Sequence, residues 1–98
     1  MKTFILMTKL STRITSQMED RGALGRAWIK EVKEKCPEVK FIDHYALLGQ
    51  YDFLDIFEAP DAESAAKVSM ISQKNGALQA ESWSAIPYKR FVELTKEI

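Results

Sequence analysis

Four residues, Gly49-Gln50-Tyr51-Asp52, separate two strand-like runs, and that short link constrains the fold more than any other feature. On its N-terminal side, Val39 to Leu48 alternates in character. On its C-terminal side, Phe53 to Glu58 (FLDIFE) is short and largely apolar. Strands joined so closely must run antiparallel, because a parallel pair needs a crossover of a dozen or more residues. A helical pattern, and beyond it a further strand, flanks this hairpin on each side.

The first strand is Thr3 to Leu10 (TFILMTKL), whose near-continuous apolarity marks a central strand covered on both faces. The first helix runs from about Ala23 to Cys36, with Leu24, Trp28, Ile29, Val32 and Cys36 on one face and Pro37 as its stop. Upstream, Ser16-Gln17-Met18-Glu19 has the form of a capping box, and Gly22 and Gly25 predict a weak or interrupted turn. Pro60-Asp61 opens a second helix of small residues, with Asp61 as its N-cap and Asn75-Gly76 as its stop. Ala77 to Ile86 is the last strand, and Pro87 starts a short amphipathic helix carrying Tyr88, Phe91, Val92 and Leu94. The order is βαββαβ plus a terminal helix. It predicts an α+β, ferredoxin-like domain spanning residues 1–98, with both main helices on one face of a four-stranded antiparallel sheet.

Two helices leave the other sheet face bare. Strand parity assigns residues to it. One parity holds Phe41, Asp43 and Tyr45, then Phe53, Asp55 and Phe57, then Gln79, Glu81 and Trp83. The other holds Ile42, Ala46 and Leu48, then Leu54 and Ile56, then Leu78, Ala80 and Ser82, which suit close helix packing. The first set carries three carboxylates, too many for a dry core, and is too aromatic for water. It is therefore expected on the open face, as a dimer interface, a ligand pocket, or both.

Charge and composition narrow the partners. Fourteen Lys and Arg residues balance fourteen Asp and Glu residues, so no net cationic field is available to displace counterions from nucleic acid. One cysteine, Cys36, excludes an internal disulfide, and with one histidine, His44, it leaves no Cys/His zinc set within a chain. No signal-peptide pattern is present, nor an apolar run near the roughly 20 residues of a membrane span, so a cytoplasmic location without membrane contact is expected.

The stretch Leu48-Gly49-Gln50-Tyr51-Asp52, followed by Glu58-Ala59-Pro60-Asp61, resembles the GYD domain family. The opening Thr3-Phe-Ile-Leu-Met-Thr-Lys-Leu and the closing Glu81-Ser-Trp-Ser-Ala look like that family too, although Trp83 stands where a smaller or aliphatic residue is commoner. The family is similar to the dimeric α/β-barrel superfamily, which includes small monooxygenases and the ligand-sensing domains of regulators. The resemblance implies a homodimeric α/β barrel. It implies no settled reaction.

In the motif itself, Gly49 is expected at positive φ, Asp52 bonded to the turn backbone and Tyr51 packed over the strand end. The functional alternative has Tyr51 and Asp52 at the mouth of a pocket lined by Tyr45, Phe53, Asp55 and Trp83. Asp43, Asp55 and Glu81 on the open face are expected to be solvated or paired with a partner's cations; close together, they could do acid–base work. His44 falls on the helix parity and reads as a core or edge histidine. No Gly-rich phosphate loop or nucleophile elbow occurs, so no named reaction is indicated. Two readings stand. One is a cytoplasmic homodimer that binds a small molecule between sheet faces. The alternative is a small barrel-type enzyme, cofactor-free or haem-dependent and monooxygenase-like, in which His44 would be the only imidazole for a haem iron.

Overall fold

In the computed structural model, which describes residues 1–15 and 18–98, β1 (Lys2–Leu10) lies between β3 (Phe53–Ala59) and β4 (Ala77–Ala85). β2 (Lys40–Ala46) forms the edge beyond β3, so the strand order is β2-β3-β1-β4 with every pair antiparallel. This is the ferredoxin-like arrangement expected from the element order. Both neighbours pair with the central strand along most of its length, which suits its apolar sequence.

After β1 come α1 (Thr12–Thr15), a 3₁₀ turn (Met18–Asp20) and α2 (Arg21–Lys35). The capping box expected at Ser16 lies outside the described residues. Gly22 and Gly25 do not interrupt α2, which starts two residues before the expected Ala23. The buried stripe of Val32 and Cys36 offsets their propensity cost, because tertiary packing supplies most helix stability. The Cys36 N–H donates to the Val32 carbonyl at 2.7 Å, and Pro37 then ends the helix.

α3 (Ala62–Lys74) begins as its sequence predicts, with the Ser64 N–H donating to Asp61 Oδ1 at 2.8 Å. Gly76, at φ 106°, lets the chain turn into β4; among the described residues it alone has positive φ. Gly49 therefore does not adopt the positive φ expected of it. The physical reason is loop length. β2 stops at Ala46, so residues 47–52 form a wider connection, closed by the Leu47 N–H donating to the Asp52 carbonyl at 2.8 Å. α4 (Tyr88–Thr95) follows β4 and buries none of its residues.

Register shows which side chains share a face. One face carries the rows Ser84–Phe4–Phe57–Phe41, Ser82–Leu6–Asp55–His44 and Ala80–Thr8–Phe53–Ala46. Phe4, Leu6 and Phe57 join Val32 and Cys36 of the α2 segment and Ala65, Val68 and Ile71 of α3 in the buried core, so this face meets the helices. The opposite face carries Trp83–Ile5–Ile56–Asp43 and Glu81–Met7–Leu54–Tyr45.

The face assignment made from sequence parity needs correcting on two strands. On β3, Phe53, Asp55 and Phe57 point to the helices, and Leu54 and Ile56 point away. On β2 the register slips between Phe41 and Asp43, so Phe41 faces the helices while Asp43 and Tyr45 lie on the open face. One extra residue in a bulge exchanges the faces of everything beyond it. On β4 the expected placement of Glu81 and Trp83 holds.

Candidate functional site

A cavity of about 920 Å³ opens between α2 and the helix-side face of the sheet. Its walls are apolar: Leu24, Trp28 and Ile29 come from α2, Phe41 and Ala46 from β2, and Phe53 from β3. Helical spacing on α2 delivers the first three to one face, and strand alternation delivers the others. Arg21, Arg26, Lys30 and Lys33 also line it from α2. Among the described residues the lining thus carries four cations against one carboxylate, Asp55. An apolar body with an acidic group matches this distribution.

Asp55 is the chemically distinctive residue. It is 2% exposed, and His44 Nδ1 lies 2.5 Å from its Oδ1. The two residues sit opposite each other in the β2–β3 ladder, which is why their side chains meet. Burial pushes the Asp55 carboxyl above the ordinary carboxylate range, and the His44 charge and hydrogen bond partly oppose that shift. When Asp55 is ionised it can only accept, so the hydrogen between them sits on Nδ1, and in the neutral imidazole Nε2 then holds the lone pair. The imidazole also stacks on Phe53, with centroids 5.4 Å apart and planes at 23°, so its plane is held by two contacts. The Arg21 guanidinium lies 5.3 Å from the same Phe53 ring. Trp28 meets Phe41 edge-on at 5.3 Å, and its buried Nε1 has no hydrogen-bond partner among the described residues.

The residues proposed from sequence separate into three places. Phe53 and Asp55 line the helix-side cavity. Tyr45, Tyr51 and Trp83 belong to the open face. There the Tyr51 hydroxyl donates to Glu81 Oε2 at 2.6 Å, Trp83 Nε1 donates to Glu81 Oε1 at 3.2 Å, and the Tyr51 and Trp83 rings meet edge-on. These bonds hold the Glu81 carboxyl below its ordinary range and push the Tyr51 hydroxyl up. Tyr45 donates to Asp43 Oδ2 at 2.8 Å, which likewise raises its hydroxyl. Asp52 is structural: its Oδ2 accepts from the Leu10 N–H at 2.7 Å. Asp43 and Glu81 share the open face as expected, but Asp55 does not join them.

The sequence alone reads His44 as a core or edge histidine, and strand parity places Asp55 on the other face. The signal that finds the pair is residue chemistry on a half-buried hairpin. A buried Asp needs a partner, and the chain has one histidine, on the neighbouring strand. Cys36 is fully buried, and burial raises its thiol, so it packs as a small apolar residue. Among the described residues, no group of three His, Cys, Asp or Glu side chains converges on a metal position.

Three likenesses to known proteins bear on this arrangement. The GYD domain family model matches residues 4–95. A glutamine synthetase and cystathionine beta-lyase binding protein of Thermus thermophilus is 30% identical over 90 residues, covering 89% of this chain and 90% of its own. The crystal structure of MtbAldR superposes with a TM-score of 0.60 at 20% identity, over 88% of this chain and 53% of that one, a likeness of fold.

Proposed function

The chain belongs to the GYD domain family, and on that premise we propose that it is a self-associating binding protein whose helix-side cavity takes a small aromatic or aliphatic acid. The observation that carries the reading is the pairing of apolar walls with Arg26, Lys30 and Lys33 of α2. Burial of the apolar body supplies affinity, and the cations select an anion over its neutral analogue. The relative from Thermus thermophilus is named for binding two enzymes, which supports an accessory role with protein partners. A cytoplasmic location is part of the same reading.

Phenylpyruvate tests the cavity. In a Trp83→Phe background, Trp28 is the single tryptophan and reports from the cavity wall. Saturable change in its fluorescence is expected, with weaker binding of benzyl methyl ketone, which lacks the carboxylate. No saturable change up to millimolar phenylpyruvate would overturn the ligand reading.

Self-association rests on the open face and α4. The open face presents Ile5, Leu54 and Ile56 in its central rows, with Tyr45 and Trp83 52% and 44% exposed beside them. On α4, Tyr88 and Phe91 stack at 6.2 Å while both remain exposed. Apolar surface arranged in this way is covered in stable proteins, and a second copy supplies equal and complementary cover. Sedimentation equilibrium at tens of micromolar is expected to give at least twice the 11.2 kDa chain mass. A single 11.2 kDa species would overturn this part.

A further inference from the structure

We infer that the His44–Asp55 pair is a proton-transfer centre, acting on a carbon acid bound in the helix-side cavity. The inference rests on the ligand reading above and deepens it by naming a substrate class, an apolar acid with an acidic C–H beside a carbonyl. Three observations carry it. Asp55 is 2% exposed at the cavity, yet its carboxyl meets His44 Nδ1 at 2.5 Å. The imidazole itself is 57% exposed and lines the cavity, so it is accessible to a ligand. Stacking on Phe53 fixes the ring plane.

A purely structural histidine has no need of a buried carboxylate behind it and an open cavity in front. Asp55 holds the tautomer with hydrogen on Nδ1 and stabilises the imidazolium that forms when Nε2 accepts a proton. His44 is then the catalytic residue and Asp55 a positioning residue.

The step is redox-neutral. With phenylpyruvate as probe, His44 Nε2 takes a C3 proton. The C3–H bond breaks, its electron pair becomes the C2–C3 double bond, and the carbonyl π pair moves onto oxygen as an enolate. Arg26, Lys30 and Lys33 supply positive charge around the cavity as this anion forms. The imidazolium returns its proton to the enolate oxygen, giving the enol, or to C3, restoring the ketone. In D₂O the same step exchanges the C3 protons for deuterium.

The experiment follows C3 deuterium exchange in phenylpyruvate by proton NMR with the full chain, beside Trp28 fluorescence binding on the same samples. The protein is expected to accelerate exchange above an equal concentration of imidazole. His44→Gln is expected to lower exchange by about a hundredfold while binding stays within twofold. Asp55→Asn is expected to lower kcat at least tenfold with KM within twofold, and Asp55→Glu to recover part of that loss. His44 is surface-accessible, so His44→Gln is expected to keep the wild-type circular dichroism, and it decides the matter if Asp55 variants fold poorly. Binding without accelerated exchange, or exchange unchanged in His44→Gln, overturns the proton-transfer centre and leaves the ligand reading standing. Absence of both binding and exchange overturns both.

Discussion

Asp52 Oδ2 accepts the Leu10 backbone N–H at 2.7 Å, where the β1–β4 register slips between Lys9 and Leu10. The β1–β3 pairing ends at Thr8–Phe53, and the Asp52 carboxylate supplies the acceptor for the part-buried Leu10 N–H beyond that end. The Asp52 N–H in turn donates to the Thr8 carbonyl at 2.8 Å, so one residue ties the hairpin link to the central strand twice. Asp52→Ala removes the charged acceptor and is expected to cost about 1.5–3 kcal/mol, read as a lower urea midpoint. Asp52→Asn keeps an acceptor oxygen and is expected to lose less. Equal stability of all three chains would show that water replaces the carboxylate at no cost.

Gly76 and Gly49 make an opposed pair. Gly76 has φ 106°, a conformation that strains any side chain, and its N–H donates to the Gln73 carbonyl at 3.2 Å in the α3 terminus. Gly76→Val is expected to cost about 1–3 kcal/mol. Gly49 has no positive φ, and an added Cβ meets nothing within 4 Å. Gly49→Ala is therefore expected to lie within about 0.5 kcal/mol of wild type. Urea melts showing the reverse order would contradict the backbone geometry of both turns.

Glu31 links α2 to α3 and carries a pH signature. Its Oε2 lies 2.7 Å from both Lys35 Nζ and Lys74 Nζ, and its Oε1 accepts from Asn75 Nδ2 at 3.0 Å. Those bonds, to Lys35 first, hold its carboxyl at about 2 instead of 4.5. A depressed folded value means stability that is complete above the unfolded value and lost as pH falls through the folded one. Glu31→Gln is thus expected to melt lower than wild type at pH 7. The gap should narrow below pH 4.5 and be mostly lost near pH 2, where the wild-type carboxyl is half protonated in the folded chain and fully protonated in the unfolded one. A gap independent of pH would mean that packing, not charge, links the helices.

The fold was legible because its signals are local and mutually consistent. A four-residue polar link, the Asp61 cap, the Asn75-Gly76 stop and a helical apolar stripe each act within one turn or one strand. The faces of β2 and β3 were not, for two reasons. FLDIFE is apolar on both parities, since Phe53 and Phe57 alternate with Leu54 and Ile56, so hydrophobicity alone does not choose the buried side. The extra residue between Phe41 and Asp43 leaves no mark in the alternation of β2. Counting carboxylates then led the wrong way. The cost of a lone buried carboxylate argues for Asp55 among solvated acids, whereas the ladder pairs it with His44 across the hairpin. That pairing depends on register, which the sequence of either strand alone does not encode.

The same buried carboxylate makes a final prediction about stability. Burial raises the Asp55 carboxyl above its ordinary 3.8 more strongly than the His44 charge and hydrogen bond lower it. A carboxyl with a raised folded value destabilises the fold wherever it must ionise, so its burden is absent below pH 3.8 and grows as pH rises through the folded value. Asp55→Asn fills nearly the same volume, offers His44 a carboxamide oxygen and carries no charge. It is expected to match wild type at pH 3 and to melt higher at pH 7, in differential scanning calorimetry at both pH values. That outcome would mark Asp55 as a residue retained at a cost to stability, which is expected of a group serving a site and not of one serving the core. A lower melting point for Asp55→Asn at pH 7 would show instead that the His44–Asp55 interaction outweighs burial and contributes to holding β2 against β3.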